Sequence, residues 1–96
     1  MEINNENEFN DFINNDCVII DFFATWCGPC KMQGPILEEL ANSRSVKIAK
    51  VDVDKFPALA RTYAVMSIPT LILFKNGQMV DKKIGLTSSS ELSEWI

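Results

Sequence analysis

Residues 18–30 read Val-Ile-Ile-Asp-Phe-Phe-Ala-Thr-Trp-Cys-Gly-Pro-Cys, an apolar run that leads directly into two cysteines. Successive apolar positions predict a strand over residues 17–24 that is buried on both faces and central in its sheet, as parallel strands covered by helices usually are. Cys27 and Cys30 then fall where this strand gives way to a helix. The stretch therefore predicts an α/β fold with two thiols at a helix N-terminus.

The spacing of the cysteines suits disulfide exchange. The first N–H groups of a helix lack intrahelical partners and carry partial positive charge, so they stabilise a thiolate at Cys27. Residues three apart on a helix share a face, and their α-carbons fall within the roughly 4.4–6.8 Å that a disulfide requires. We expect Cys27 to be the more exposed, attacking thiol and Cys30, one turn further in, to be the buried, resolving thiol.

Two other interpretations of the Cys27–Cys30 pair are weaker. A zinc site would need two more ligands from a chain that has no His and one other cysteine, Cys17. A structural disulfide between residues three apart closes a loop too small to constrain the unfolded chain much. We therefore expect no metal site, and we expect Cys17 to be an inert thiol of the core, since free cysteine is among the most buried residue types.

Composition limits the class of protein. The 96 residues, 47% of them hydrophobic, predict a single domain over residues 1–96 with one continuous core. A net charge of −4 with scattered lysines and arginines argues against a nucleic-acid partner. No segment resembles a signal peptide or a membrane span, so we expect a cytoplasmic protein with no membrane partner. In that reducing compartment a Cys-x-x-Cys motif beside a βαβ pattern is more plausibly catalytic than structural.

Hydrophobic periodicity and turn signals predict the other elements. Helices are predicted over residues 5–13, 28–43, 57–63 and 88–96, and strands over residues 46–53, 70–74 and 79–84. The apolar positions of the long helix are Met32, Ile36, Leu37, Leu40 and Ala41. A helical crossover makes the first two strands parallel, and Asn76-Gly77 makes the last two an antiparallel hairpin. The expected product is a mixed four-stranded sheet with helices on both faces.

A longer pattern surrounds the two cysteines. Residues 21–32 read Asp-Phe-Phe-Ala-Thr-Trp-Cys-Gly-Pro-Cys-Lys-Met, and residues 68–70 and 74–77 read Ile-Pro-Thr and Phe-Lys-Asn-Gly. In this order and spacing they resemble the thioredoxin family, and the similarity extends from about Phe9 to Trp95. The resemblance implies the thioredoxin fold, with its mixed four-stranded sheet and possibly a short extra strand at residues 1–3.

Two charged residues are candidates for proton transfer. Burial of Asp21 in an apolar strand should raise its pKa, which suits a proton acceptor near neutral pH; from the residues alone, a structural Asp paired with a cation or a turn is the more frequent case. The resemblance implies a buried acid that helps to deprotonate Cys30. Lys50 by itself would be a solvated strand lysine, and the resemblance makes it the partner of this acid.

Pro69 stands at the start of a predicted strand, where a trans proline in a turn is the ordinary interpretation. The resemblance implies instead a cis Ile68–Pro69 bond beside the cysteines, with the free backbone of Ile68 pairing with an extended substrate segment.

Trp26 could lie in the core or at the surface, with the sequence favouring neither. The resemblance implies a surface position, and Gly85 matches a family glycine in the loop that faces the active site, although a strand-end turn explains it equally well. The substrate-binding surface implied by the resemblance consists of Trp26, Gly28, Pro29, Ile68, Pro69 and Gly85.

The resemblance implies a monomeric protein disulfide reductase that acts on protein substrates without a bound cofactor. A flavin-dependent thioredoxin reductase drawing on NADPH would recycle its Cys27–Cys30 disulfide. One alternative is a disulfide oxidase or isomerase on the same fold, against which Gly28-Pro29 and Ile68 argue. The other is a non-redox assembly module, which would have no need of Asp21, Lys50 and Pro69 together.

Overall fold

Eight segments of regular structure follow the hydrophobic pattern of the chain in the computed structural model, which describes residues 1–96. The helices are α1 (Glu6–Ile13), α2 (Gly28–Ser43), α3 (Pro57–Thr62) and α4 (Ser89–Trp95). The strands are β1 (Val18–Phe23), β2 (Lys47–Asp52), β3 (Thr70–Lys75) and β4 (Gln78–Ile84). The predicted order and type of the elements are confirmed. None of the helices is long and apolar enough to cross a membrane.

Strand β1 lies inside a four-stranded sheet of order β2-β1-β3-β4. It pairs in parallel with β2 and antiparallel with β3, and β3 pairs antiparallel with β4. All six residues of β1 are buried, because the strand has a neighbour on each edge and helices over each face. The mixed sheet with a central first strand is therefore as predicted.

Alternate residues of β1 enter two cores on opposite faces of the sheet. Val18, Ile20 and Phe22 pack in a cluster with Phe9 of α1 and Leu59 of α3. The second core, on the opposite face, joins one β1 residue to residues from α2 and α4, and its members include Ile19, Leu37, Leu40 and Leu92. The predicted placement of helices on both faces is therefore confirmed.

The N-terminal residues add a single bridge to the outer edge of β2. Glu2 forms an isolated parallel bridge with Lys50. The Ile3 N–H donates to the Lys50 carbonyl at 2.9 Å, and the Lys50 N–H donates to the Met1 carbonyl at 2.9 Å. The possible extra N-terminal strand is thus reduced to one pair of hydrogen bonds, and Ile3 closes the edge of the first core.

The β3–β4 turn lies at the end of the sheet opposite the cysteines. Asn76 and Gly77 both have positive φ, 54° and 85°, as a two-residue hairpin with the right-handed strand twist requires. The turn also docks on the segment after α1, because the Asn76 N–H donates to the Asn15 carbonyl at 3.1 Å and the Gly77 N–H to the Ile13 carbonyl at 3.0 Å.

Replacing Gly77 with Ala should destabilise the fold by about 2 kcal/mol, because alanine disfavours this backbone conformation and its Cβ would meet the Asn14 side chain. Gly34→Ala is the matched control, since a Cβ on Gly34, inside α2, meets no atom within 4 Å. We expect Gly34→Ala to leave stability unchanged or to raise it by about 0.5–1 kcal/mol. Urea unfolding of the oxidised proteins measures both, and equal midpoints for the two variants would contradict this account of the turn.

Candidate active site

The two cysteines form a disulfide at the first turn of α2, with their α-carbons 5.3 Å apart. Cys27 is the N-cap residue, and Gly28 and Pro29 provide the first helical positions. The Cys27 sulfur accepts the Cys30 N–H at 3.2 Å. A thiolate at Cys27 would receive the same N–H and the positive end of the helix dipole, so this position favours the ionised, nucleophilic form.

The expected difference in exposure between the cysteines is almost absent in the oxidised state. Cys27 is 5% exposed and Cys30 is 3% exposed. Both pack in a small cluster with Phe23 and Ala24, against which Ile68 is half-buried. Cys27 is thus the more exposed of the two only by a small margin, and both cysteines are buried in this state. The attacking and resolving roles then depend on position along α2 alone.

Asp21 is fully buried in β1, and neither of its carboxylate oxygens has a hydrogen-bond partner. Burial raises the pKa of Asp21 from an ordinary 3.8 to about 6, although the positive charge of Lys50 acts in the opposite direction. A structural Asp would be held by a turn or a cation. An unpartnered acid with a pKa near neutrality can instead accept and release a proton under physiological conditions.

Lys50 lies beside Asp21, since the two are register partners across the β1–β2 pair. Its ammonium nitrogen sits 4.3 Å from the centroid of the Phe23 ring, a cation–π contact that holds the side chain over the sheet. Lys50 lines a cleft of about 170 Å³ together with Asp21 and a second cleft of about 220 Å³ together with Cys30. It is thus the charged residue common to the surroundings of the acid and of the second cysteine.

Trp26 lies at the surface, 70% exposed, and its indole N–H donates to the Asp54 carboxylate at 2.9 Å. It borders a shallow cleft of about 340 Å³ whose wall includes Ile68 and the strongly exposed Met66. Gly28 and Pro29 are also exposed. This side of the disulfide therefore presents an apolar surface rather than a closed pocket.

The Ile68–Pro69 peptide bond is cis, and the Ile68 carbonyl oxygen lies 3.9 Å from the Cys27 sulfur. Pro69 is buried, and its own carbonyl accepts the Gly85 N–H at 2.8 Å. Gly85 has a φ of 88°, so the loop after β4 turns back on Pro69. The structure brings Ile68, Pro69 and Gly85 together on one side of the disulfide.

Sequence reasoning missed Gln33 and Asp54. The buried face of α2 is formed by Cys30, Gln33, Leu37 and Leu40. Met32, which was predicted to lie on this face, is 62% exposed, and Ala41 is also exposed. The signal for Gln33 was its spacing, since it follows Cys30 by three positions and precedes Leu37 by four; its polar side chain masked that signal.

Comparison with known proteins agrees with this arrangement. The family model described as Thioredoxin matches residues 1–96. The chain belongs to the thioredoxin family. It is 56% identical over 85 residues to a thioredoxin of Chlamydia caviae, a match covering 88% of this chain and 83% of that one. It is 51% identical over 89 residues to a thioredoxin of Staphylococcus aureus, covering 91% of this chain and 86% of that one.

Solved thioredoxins share the fold. A mutant thioredoxin from Halobacterium salinarum NRC-1 matches with a TM-score of 0.95 at 40% identity, over 100% of this chain and 86% of that one. The oxidised mitochondrial thioredoxin 3 from Saccharomyces cerevisiae matches with a TM-score of 0.91 at 41% identity, over 100% of this chain and 92% of that one. The Cys27–Cys30 pair is accordingly the redox-active motif of a disulfide oxidoreductase, the activity of the thioredoxin family. The structure contains no group of three or more Cys, Asp or Glu side chains able to hold a metal ion.

Asp21→Asn should stabilise the oxidised protein at pH 7 by on the order of 3 kcal/mol, because it removes the cost of burying a charge. In the parent protein the folded carboxyl titrates near pH 6, while the unfolded carboxyl titrates near its ordinary value. As the pH rises from about 4 to about 6 the unfolded chain releases this proton first, so the free energy of unfolding falls.

Urea unfolding of both proteins between pH 3.5 and pH 8 measures the effect. The stability difference should be near zero at the acid end and fully developed above the folded pKa. Asp16→Asn is the matched control, since Asp16 is exposed. A difference that stays constant across this pH range would show that Asp21 is not the group that titrates.

Proposed function

We propose that this chain reduces disulfide bonds in protein substrates by dithiol–disulfide exchange through Cys27 and Cys30. The observation that supports it most directly is the capping geometry, in which the Cys30 N–H points at the Cys27 sulfur at 3.2 Å. A sulfur held there is stabilised as a thiolate, the form that attacks disulfides. The apolar surface around Trp26 and Ile68 supports the proposal that the substrates are proteins, because such a surface can contact apolar side chains without requiring one particular substrate sequence.

In the first half-reaction the Cys27 thiolate attacks one sulfur of the substrate disulfide. The substrate S–S bond breaks, its second sulfur leaves as a thiolate, and a mixed disulfide joins Cys27 to the substrate. The backbone of Ile68, next to the Cys27 sulfur, would pair with the extended substrate segment as an added strand. Trp26, Gly28, Pro29, Pro69 and Gly85 complete the surface that receives this segment.

In the second half-reaction Cys30 resolves the mixed disulfide. The ionised Asp21 carboxylate accepts the Cys30 proton, which leaves a negative charge on the Cys30 sulfur. Lys50 stabilises this thiolate, since it lines both the cleft at Asp21 and the cleft at Cys30. The Cys30 thiolate then attacks the Cys27 sulfur and the second substrate thiolate departs. The substrate has gained two electrons and two protons as two thiols, and this chain has become the Cys27–Cys30 disulfide.

The cycle would close through a partner. We propose that a flavin-dependent thioredoxin reductase, using NADPH, returns two electrons to the Cys27–Cys30 disulfide, so that this chain carries electrons without binding a cofactor. The protein would act in the cytoplasm, as a monomer and as a single domain over residues 1–96. The negative net charge and the absence of a basic cluster support protein partners rather than nucleic acid.

The direction of the exchange follows from the reduction potential. Potentials of dithiol proteins of this kind run from about −270 mV for reductants to about −120 mV for oxidants, a span of roughly 7 kcal/mol. Gly28-Pro29 between the cysteines and Ile68 before the cis proline match the reducing members of the family. We expect a potential near −270 mV, measured by equilibration with thiol–disulfide buffers and trapping of the free thiols. A value near −120 mV would assign disulfide formation instead.

Cys27→Ser should abolish reduction of insulin disulfides, since it removes the attacking sulfur, whereas Cys30→Ser should attack once and accumulate a mixed disulfide. Cys17→Ser is the matched control. Cys17 is half-buried immediately before β1, at the far end of the sheet, and its loss should leave the rate unchanged. Trapped complexes are measured by non-reducing electrophoresis. If Cys30→Ser traps nothing and both site variants keep the protein's cellular role, the chain is a non-redox assembly module.

A further inference from the structure

Gln33 is a fully buried amide on α2, one turn beyond Cys30. Its side-chain oxygen accepts the Thr87 N–H at 2.8 Å, and its side-chain nitrogen donates to the Thr87 carbonyl at 3.1 Å. Both polar groups of the amide are therefore used on one residue that lies 54 positions away in sequence. Such a paired contact fixes the distance and the orientation of the two segments, which a single apolar contact would not do.

Thr87 belongs to the loop between β4 and α4, and this loop continues the connection toward the substrate surface. The Thr87 hydroxyl donates to the Gly85 carbonyl at 3.1 Å, and the Gly85 N–H donates to the Pro69 carbonyl at 2.8 Å. Hydrogen bonds thus lead from α2, which carries Cys30, through the loop of residues 85–87 to the Ile68–Pro69 segment beside Cys27.

We propose that Gln33 is a positioning residue for substrate docking. It holds the loop of residues 85–87 against α2. Through the hydrogen bond of Gly85 with Pro69, that loop in turn holds the backbone of Ile68 and Pro69 in a fixed position relative to the disulfide. This inference rests on the proposed reductase function and specifies which interaction aligns the extended substrate segment. A substrate that needs only an accessible Cys27 does not depend on this alignment, whereas a polypeptide that pairs with Ile68 does.

Gln33→Met tests the proposal, since methionine fills a similar volume but leaves the Thr87 N–H and carbonyl without partners. We expect the apparent KM of the pre-reduced protein for insulin to rise roughly five- to tenfold, the effect of losing one or two buried hydrogen bonds. The rate with a small aromatic disulfide, dithiobis(nitrobenzoic acid), should stay within twofold of the parent. The reduction potential should not change, because the substitution leaves the Cys30 N–H contact with the Cys27 sulfur in place.

Gly77→Ala is the control for stability, since it destabilises the hairpin turn at the opposite end of the sheet. It should leave the KM for insulin unchanged. Thr87→Val, which removes only the hydroxyl contact with Gly85, is the second variant and keeps the test decisive if Gln33→Met fails to fold; it should raise the KM about two- to threefold.

The possible outcomes distinguish the positioning role of Gln33 from the proposed reductase function on which it rests. A raised KM for insulin with an unchanged small-disulfide rate in Gln33→Met or Thr87→Val supports the positioning role. The role is overturned if these variants match Gly77→Ala, or if both substrates slow equally. If the parent protein reduces neither insulin nor the aromatic disulfide, the proposed function itself fails, whatever the variants do.

Discussion

Strand β1 has a neighbour on each edge and a packed core on each face, and the active site depends on that confinement. Val18, Ile20 and Phe22 supply the first core, and Ile19 enters the second on the opposite face. The strand therefore has no freedom to slide, because a shift of one residue would exchange the two faces. Its fixed register places Asp21 opposite Lys50 and fixes the point beyond the carboxyl end of β1 at which the chain reaches Cys27.

The same confinement makes Asp21 an unusual element of the fold. A buried carboxylate without hydrogen-bond partners in the protein opposes folding once it is ionised. The sheet tolerates it because the apolar residues of β1 and β3 around it are buried and the positive charge of Lys50 lies nearby. Strain and unsatisfied groups that stability alone would remove are characteristic of functional sites, so the energetic cost of Asp21 is an argument for the proton-transfer role proposed for it.

Most of the fold was predictable because its signals are local. The Asn76-Gly77 dipeptide specifies the hairpin and the apolar run of β1 specifies the central strand. Ser88 specifies the start of α4, where its side chain accepts the Glu91 N–H at 3.3 Å as the N-cap. The burial of Asp21 was predictable for the same reason. The near-complete burial of Cys27 was not, because segments distant in sequence contribute to its surroundings: the Ile68 carbonyl oxygen, 41 positions away, lies 3.9 Å from its sulfur. Gln33 shows a different limit of prediction from sequence. A polar residue in a helix is expected to face solvent and the adjacent Met32 is expected to face the core, but in the structure Gln33 is buried and Met32 is exposed. The reversal is possible only because Thr87 offers both a donor and an acceptor at the right spacing, which no local pattern encodes.

The buried polar side chains divide by whether they have partners. Gln33, Asp52, Thr70 and Thr87 each make hydrogen bonds: Gln33 with Thr87, Asp52 with the N–H of Asp54, and Thr70 with the Ser67 carbonyl. All lie toward the end of the sheet that carries the cysteines, and their contacts fix the loops around the disulfide. Asp21 alone has none. A hydrogen-bonded group holds its neighbours in place, whereas an acid without such a partner is free to exchange its proton, which is the property that the proposed role of Asp21 requires.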